Sequence, residues 1–188
     1  MIERRTPLAA AALDPGADPV AFTRSFRAVM GHFATGVAIV TFLRDQKPAG
    51  ITVNSFLPVS IDPPLVLVSL RRESRVTRQL GVGVRYAVNV LAEGQQALSA
   101  RFSRSHVDDD PLDFEFSAGT PLLRGSLAHI VGRVVDVHAV GDHFLHIAEV
   151  EQLIQATEAR PLIFHAGAYK RVRAHEPGEN PGDGLDGW

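Results

Sequence analysis

The chain has 188 residues, 45% of them apolar, a formal charge of -2 from 19 Lys and Arg against 21 Asp and Glu, and no cysteine. That length suits one domain with a full core. The charge balance excludes the basic field of a nucleic-acid binder, and the lack of thiols excludes disulfides, iron–sulfur clusters, thiolate zinc and a cysteine nucleophile. No stretch has the apolar length of a membrane span, and the N-terminal patch, broken by Asp14-Pro15, is too short for a secretory signal. A soluble, cytoplasmic protein with no membrane or nucleic-acid partner is expected.

Residues 1–17 and the tail 174–188 have the Ala/Pro/Gly and Pro/Gly/acidic compositions of flexible segments, which leaves 18–173 as the domain. Asp18-Pro19 reads as a helix start, a capping carboxylate followed by proline at the first helical position, and the helix should run to about His32. Phe26, Val29, Met30 and Phe33 follow Phe22 at helical offsets, one stripe expected to face a core. Ala34-Thr35-Gly36 breaks the helix. Val37 to Leu43 and Ala49 to Val53 read as strands joined by a polar turn. A polar loop then leads through Asp62-Pro63-Pro64, a stiff extended turn, into the apolar run Leu65 to Val68. Ser74 should cap a short helix over Arg75 to Leu80, Tyr86 to Leu91 is a strand, and Glu93 to Phe102 has helical composition. Ser103 to Leu123 reads as a loop, whose run Asp108-Asp109-Asp110-Pro111 is expected to be solvated rather than to hold Mg²⁺. Leu127 to Val140 and His143 to Ile154 form a long hairpin about Gly141-Asp142, and Pro161 to Phe164 supplies a last strand. About seven strands and three helices, with connections too short for parallel crossovers, predict a mainly β fold: an antiparallel barrel with peripheral helices.

Chemical motifs are few. There is no GxGxxG, P-loop, GxSxG or HExxH. His138, His143 and His146 are close in sequence, but odd spacings along a strand place His143 on the opposite face from the other two, so no metal site is expected. The segment Gly50 to Leu70 offers Thr52, Asn54, Ser55 and Ser60 without any charged nucleophile or base. It suits either an ordinary strand, loop and strand or a planar, acceptor-rich ligand such as a flavin ring, held by hydrogen bonds. Ser74 with Arg71, Arg72, Arg75 and Arg78 suits either a capped surface helix or a phosphate site.

Several segments taken in order, GHFATGVAIVT, GITVNSFLPVSIDPPLVLVSL, Ser74 with its short helix, YAVNVLAEGQQALSARFS, GDHFLHIAEV and PLIFHAGAYKRV, resemble the flavin reductase family with the FMN-binding split-barrel fold. These are the small reductase components of two-component flavin-dependent monooxygenases. The resemblance covers roughly residues 22–172. It implies an antiparallel split β-barrel, a homodimer, FAD or FMN reduced by NADH or NADPH with NADH favoured, and a partner monooxygenase that receives the reduced flavin by diffusion. It further implies that Thr35, Thr52, Val53, Asn54, Ser55 and Ser60 line the flavin, and that Ser69, Arg71 and Ser74 face its phosphate. Phe102 and Ser103 would close over it, and His143 and Tyr169 would contact the nicotinamide nucleotide. No catalytic acid or base and no metal are implied, because hydride passes directly between the cofactors. A non-catalytic flavin-binding protein and a split-barrel oxidase with tightly bound FMN are the alternatives. The Arg71-Arg72 pair and the PGENPGDGLDGW tail depart from many relatives.

Overall fold

A computed structural model describes residues 16, 18–104, 112–155 and 159–173. The terminal segments 1–15 and 174–188, and with them the expected flexible ends, lie outside the described residues, as does the Asp108-Asp109-Asp110-Pro111 run. Helix α1 spans Pro19–Met30, and Asp18 Oδ1 accepts from the backbone N–H groups of Val20 and Ala21 at 3.1 and 2.9 Å, the cap that the sequence predicts. Strands follow at Thr35–Gly36 (β1), Ala38–Arg44 (β2), Lys47–Val53 (β3), Phe56–Ile61 (β4), Pro64–Arg71 (β5) and Arg85–Val90 (β6). Helix α2 spans Gln96–Phe102, and the rest of the described chain is β7 (Phe114–Ser117), β8 (Thr120–Leu123), β9 (Ala128–Val140), β10 (His143–Gln155), β11 (Ile163–His165) and β12 (Ala168–Lys170).

Seven strands form one antiparallel sheet in the order β3-β2-β6-β9-β10-β5-β4. Its two outermost strands, β3 and β4, are consecutive in the chain and separated only by Asn54 and Ser55. A two-residue link cannot span a flat sheet of seven strands some 4.8 Å apart, so the sheet must curl until its edges meet. The result is a barrel split along one seam. Its interior is packed by Val40, Phe42, Val66, Val68, Leu80 and Tyr86, all nearly or fully buried. A second core outside the barrel wall gathers Val37, Ile39, Leu91, Phe102, Leu123 and Leu162. There Val37, Leu91 and Leu162 exchange backbone hydrogen bonds in a ring of 2.9 to 3.1 Å, which fastens the small sheet β1-β11-β12 to the barrel.

Several elements differ from those expected. The polar loop is only Asn54–Ser55, because Phe56–Ile61 pairs with β5 as a strand, and Asp62–Pro63, a cis peptide, lies in the tight turn between them. The helix expected over Arg75 to Leu80 is a 3₁₀ turn of three residues, Thr77–Gln79. The Ser103 to Leu123 loop contains the hairpin β7-β8, turned at Ala118 and Gly119, both with positive φ. A similar turn at Ala166-Gly167 adds β12 beyond the last expected strand. The α1 stripe does not face this chain's core: Phe26, Val29, Met30 and Phe33 are 52 to 73% exposed. The helix is tied down at its end, where the Ala166 N–H donates to the Gly31 carbonyl at 2.8 Å.

His138 lies on a different face from the one expected. Glycine at the first turn position, Gly141 with φ 55°, suits a hairpin of two-residue turn, and the register that follows sets His138 opposite Leu145. Opposed residues share a face, and so do residues two apart, so His138 and His143 lie on the same face and His146 alone on the other. His138 Nε2 is instead 3.0 Å from Asp136, and no cluster able to hold a metal occurs among the described residues.

Candidate functional site

The seam between β3 and β4 gathers hydroxyls on both sides. On the β3 side, Thr52 Oγ1 donates to the Ser99 carbonyl on α2 at 2.7 Å, and the Ser99 hydroxyl meets the Tyr169 hydroxyl at 2.8 Å. The Tyr169 ring stands edge-on to Phe164 with centroids 5.7 Å apart, and Phe164 is the register partner of Thr35. Thr35 Oγ1 is buried and has no protein partner among the described residues. These contacts link Thr35, Thr52, Ser99 and Tyr169 into one patch built from the small sheet, α2 and β3. Ser99 was not marked by the sequence, since a serine inside a helix carries no local signal.

On the β4 side, Ser55 Oγ donates to the Ser69 carbonyl at 2.6 Å and the Ser69 N–H donates to the Ser55 carbonyl at 3.1 Å. Two residues further along β5, Arg71 is the register partner of His143 on β10. His143 Nδ1 lies 2.7 Å from Asp142 Oδ1, and this hydrogen bond is the main reason the Asp142 carboxyl sits below the usual carboxylate range. A carboxylate only accepts, so Nδ1 carries a proton and Nε2 is the nitrogen left to face a ligand. Beyond Arg71, the chain carries exposed Arg72, Arg75 and Arg78 against a single Glu73. The Arg72 guanidinium stands 5.2 Å over the Phe144 ring, and the Arg72 N–H donates to the Asp142 carbonyl at 2.9 Å.

Several other expected residues have different surroundings. Val53 points into the barrel core, so only its backbone borders the seam. Phe102 is 3% exposed, packed in the second core against Gly50, and its ring is not free to close over a ligand. Ser103 is exposed at the end of α2, where its hydroxyl donates to the Ala100 carbonyl. Ser60 faces Leu65, four residues or about 13 Å along β5 from Ser69. Tyr169 is joined to Ser99 and Phe164 rather than to His143. Asn54 is exposed at the seam itself, and Ser74 accepts from the Val76 N–H at 3.3 Å. A shallow groove of about 360 Å³ lined by His129, Ile130, Leu153 and Ile154 lies at the far end of the β9-β10 hairpin from His143, some 30 Å along the strand.

Residues 30–173 match the flavin reductase like domain. The chain belongs to that family. The reductase subunit HsaB of a flavin-dependent monooxygenase from Mycobacterium tuberculosis is 40% identical over 153 residues, covering 79% of this chain and 82% of that protein. An NADH-dependent flavin reductase of a Rhodococcus species is 36% identical over 163 residues, covering 85% and 90%. Among solved structures, the NADH:FAD oxidoreductase SgcE6 of Streptomyces globisporus, in complex with NAD and FAD fragments, superposes with a TM-score of 0.78 at 30% identity, covering 91% of this chain and all of that one. A flavin fits the donor set found here: the orphaned Thr35 hydroxyl, uncharged hydroxyls and backbone along the seam, and four arginines at one end.

Proposed function

We propose that this chain is an NADH-dependent flavin reductase, reducing free FAD or FMN and supplying reduced flavin to a separate monooxygenase. The observation that carries this reading is family membership over residues 30–173, in which the two relatives described are a monooxygenase reductase subunit and an NADH-dependent flavin reductase. When bound, the flavin and the nicotinamide supply the redox chemistry between them, hydride transfer from one ring to the other. The protein's part is to bind and orient. Backbone and hydroxyls of Thr52 to Ser55, with Thr35, hold the ring at the seam. Ser69, Ser74 and the surrounding arginines take the phosphate by charge-assisted contacts, which a 3₁₀ turn of three residues could not do by dipole alone. His143, oriented by Asp142, presents Nε2 to the nicotinamide nucleotide. Fixed donors of this kind require no group of perturbed acidity.

The exposed α1 stripe belongs, in this reading, against a second copy of the chain, giving a homodimer. No helix among the described residues is long and apolar enough to cross a membrane, and the cysteine-free composition accords with a cytoplasmic enzyme. The test is to mix the purified protein with NADH and free FAD or FMN and follow NADH absorbance. Multiple-turnover oxidation is expected, and its absence with both flavins overturns the proposal. Light scattering of the same preparation reads the dimer.

A further inference from the structure

His146 stands in the barrel interior at 1% exposure, opposite Val68 on β5 and Val137 on β9. A valine or leucine would fill this position without carrying a polar ring into the core, so the ring's hydrogen bond is what distinguishes the histidine. Its Nδ1 lies 2.9 Å from the Leu80 carbonyl. A carbonyl only accepts, so Nδ1 is the protonated nitrogen, and Nε2 is buried without a protein partner among the described residues. Leu80 closes the excursion that leaves β5 at Arg71, and this excursion is tied to β10 at both ends. At the start, the Arg72 N–H donates to the Asp142 carbonyl and the Arg72 guanidinium covers Phe144. At the end, His146, two residues beyond Phe144 on the same strand face, holds Leu80. Across the middle, Thr77 Oγ1 donates to the Arg71 carbonyl at 2.7 Å, and Gln79 and Leu80 turn back on Val76.

We propose that His146 is a positioning residue that latches the Arg71–Leu80 segment to β10 and thereby holds its arginines and Ser74 in register for the flavin phosphate. The inference rests on the assignment of that segment to the phosphate under the proposed function. The latch works through the backbone of Leu80 and touches no ligand itself. A supporting contact that fixes the segment raises phosphate affinity while leaving ring binding alone.

The test compares equilibrium binding of FMN and riboflavin, which differ by the phosphate, by titration calorimetry on the wild type, His146→Leu, His146→Gln and His146→Asn. Asparagine can place a donor near the Nδ1 position, whereas leucine has none and glutamine carries its donor one bond further out. His146→Leu should raise the FMN Kd about five- to tenfold, the worth of one hydrogen bond, with riboflavin changed less than about twofold. His146→Asn should restore the wild-type FMN-to-riboflavin ratio, and hydrogen exchange at Thr77 to Gln79 should quicken in the leucine variant alone of these two. Should His146→Leu fail to fold, His146→Gln is expected to show the same selective loss of FMN. A wild-type ratio in folded His146→Leu or His146→Gln overturns the latch while leaving the phosphate assignment intact. Equal weakening of both ligands also overturns it, marking a general structural role. Wild-type protein that binds riboflavin as tightly as FMN overturns the phosphate assignment, and the latch with it.

Discussion

Asn89→Leu tests how the barrel wall is held beneath the second core. Asn89 is fully buried on β6, between Ile39 on β2 and His129 on β9. Its Oδ1 accepts from the Leu123 N–H at 2.8 Å and lies 2.9 Å from His129 Nδ1. The Leu123 N–H can only donate, which fixes the orientation of the amide and leaves Nδ2 to donate to the Ile39 carbonyl and Thr41 Oγ1, each at 2.8 Å. Leucine has a similar volume, so little cavity or overpacking is added. It strands two buried donors, Leu123 N–H and His129 Nδ1–H, each costing about 1–3 kcal/mol. The leucine's own burial returns about 1.5–3 kcal/mol. The net is a loss of about 2 kcal/mol, or roughly 4–8 °C in Tm for a chain of this size. Calorimetric melting reads it, and the double variant Asn89→Leu, His129→Leu should recover about 1 kcal/mol because one stranded donor is removed. A single variant that melts within about 1 °C of wild type would refute the assignment of these donors to Asn89.

Three further outcomes follow from particular contacts. At Gly50→Ala the new Cβ would stand 2.7 Å from the Val40 carbonyl oxygen and 3.0 Å from the Phe102 ring, and since the first is backbone of the neighbouring strand, the loss should be about 1–3 kcal/mol in denaturant unfolding; an unchanged midpoint would show that β2 and β3 part freely. Burial lowers the pKa of His129 and His146 from the ordinary 6.5, opposed by Glu115 at the first and by the Leu80 hydrogen bond at the second. The unfolded chain therefore binds protons that the fold refuses, so stability is complete above pH ~6.5 and falls on acidification by up to about 1.4 kcal/mol per pH unit for each histidine. Melting between pH ~6.5 and ~5 reads this before the carboxylates titrate, and a flat Tm there contradicts the burial argument. His143→Ala should raise KM for NADH about five- to tenfold and alter KM for flavin little; steady-state kinetics with each substrate varied reads the split, and equal changes in both would place His143 elsewhere.

What the sequence made legible was what local chemistry decides. Asp18-Pro19 started a helix because cap and ring constraint act within one turn, and Gly141-Asp142 turned a hairpin because a tight turn depends on its own two residues. The hairpin at Ala118-Gly119 was missed because its strands are four residues each, and one contains Pro121, so partners distant in sequence decide that they form. The α1 stripe was correctly apolar, but periodicity says that a face is apolar and not which surface covers it. His138 was misplaced because spacing along the chain was counted through a turn, where the register, not the count, assigns the face. In the candidate site, Ser55 in the link bonds Ser69 on β5, where Arg71 pairs with His143 on β10, whereas Val53 and Phe102 are drawn into cores and Ser60 sits at the other end of β4.

Under the proposed function, the split also accounts for a sequence with so little that looks catalytic. Each edge strand pairs on one side only, β3 with β2 and β4 with β5, so beside the seam each presents an edge of backbone donors and acceptors that the ladder does not use. Elsewhere such edges are a hazard of unwanted pairing; under the proposed function they are binding groups already in place for a planar, acceptor-rich ring, fixed by the barrel on either side. Asn54 and Ser55, the two residues that force the sheet to curl, are thus the same two that lie where those edges converge. Under the proposed function, the fold's closure and the recognition of the flavin share one short link. A site of this kind needs charge only where the ligand is charged, and the arginines cluster where the chain leaves β5, between Arg71 and Arg78.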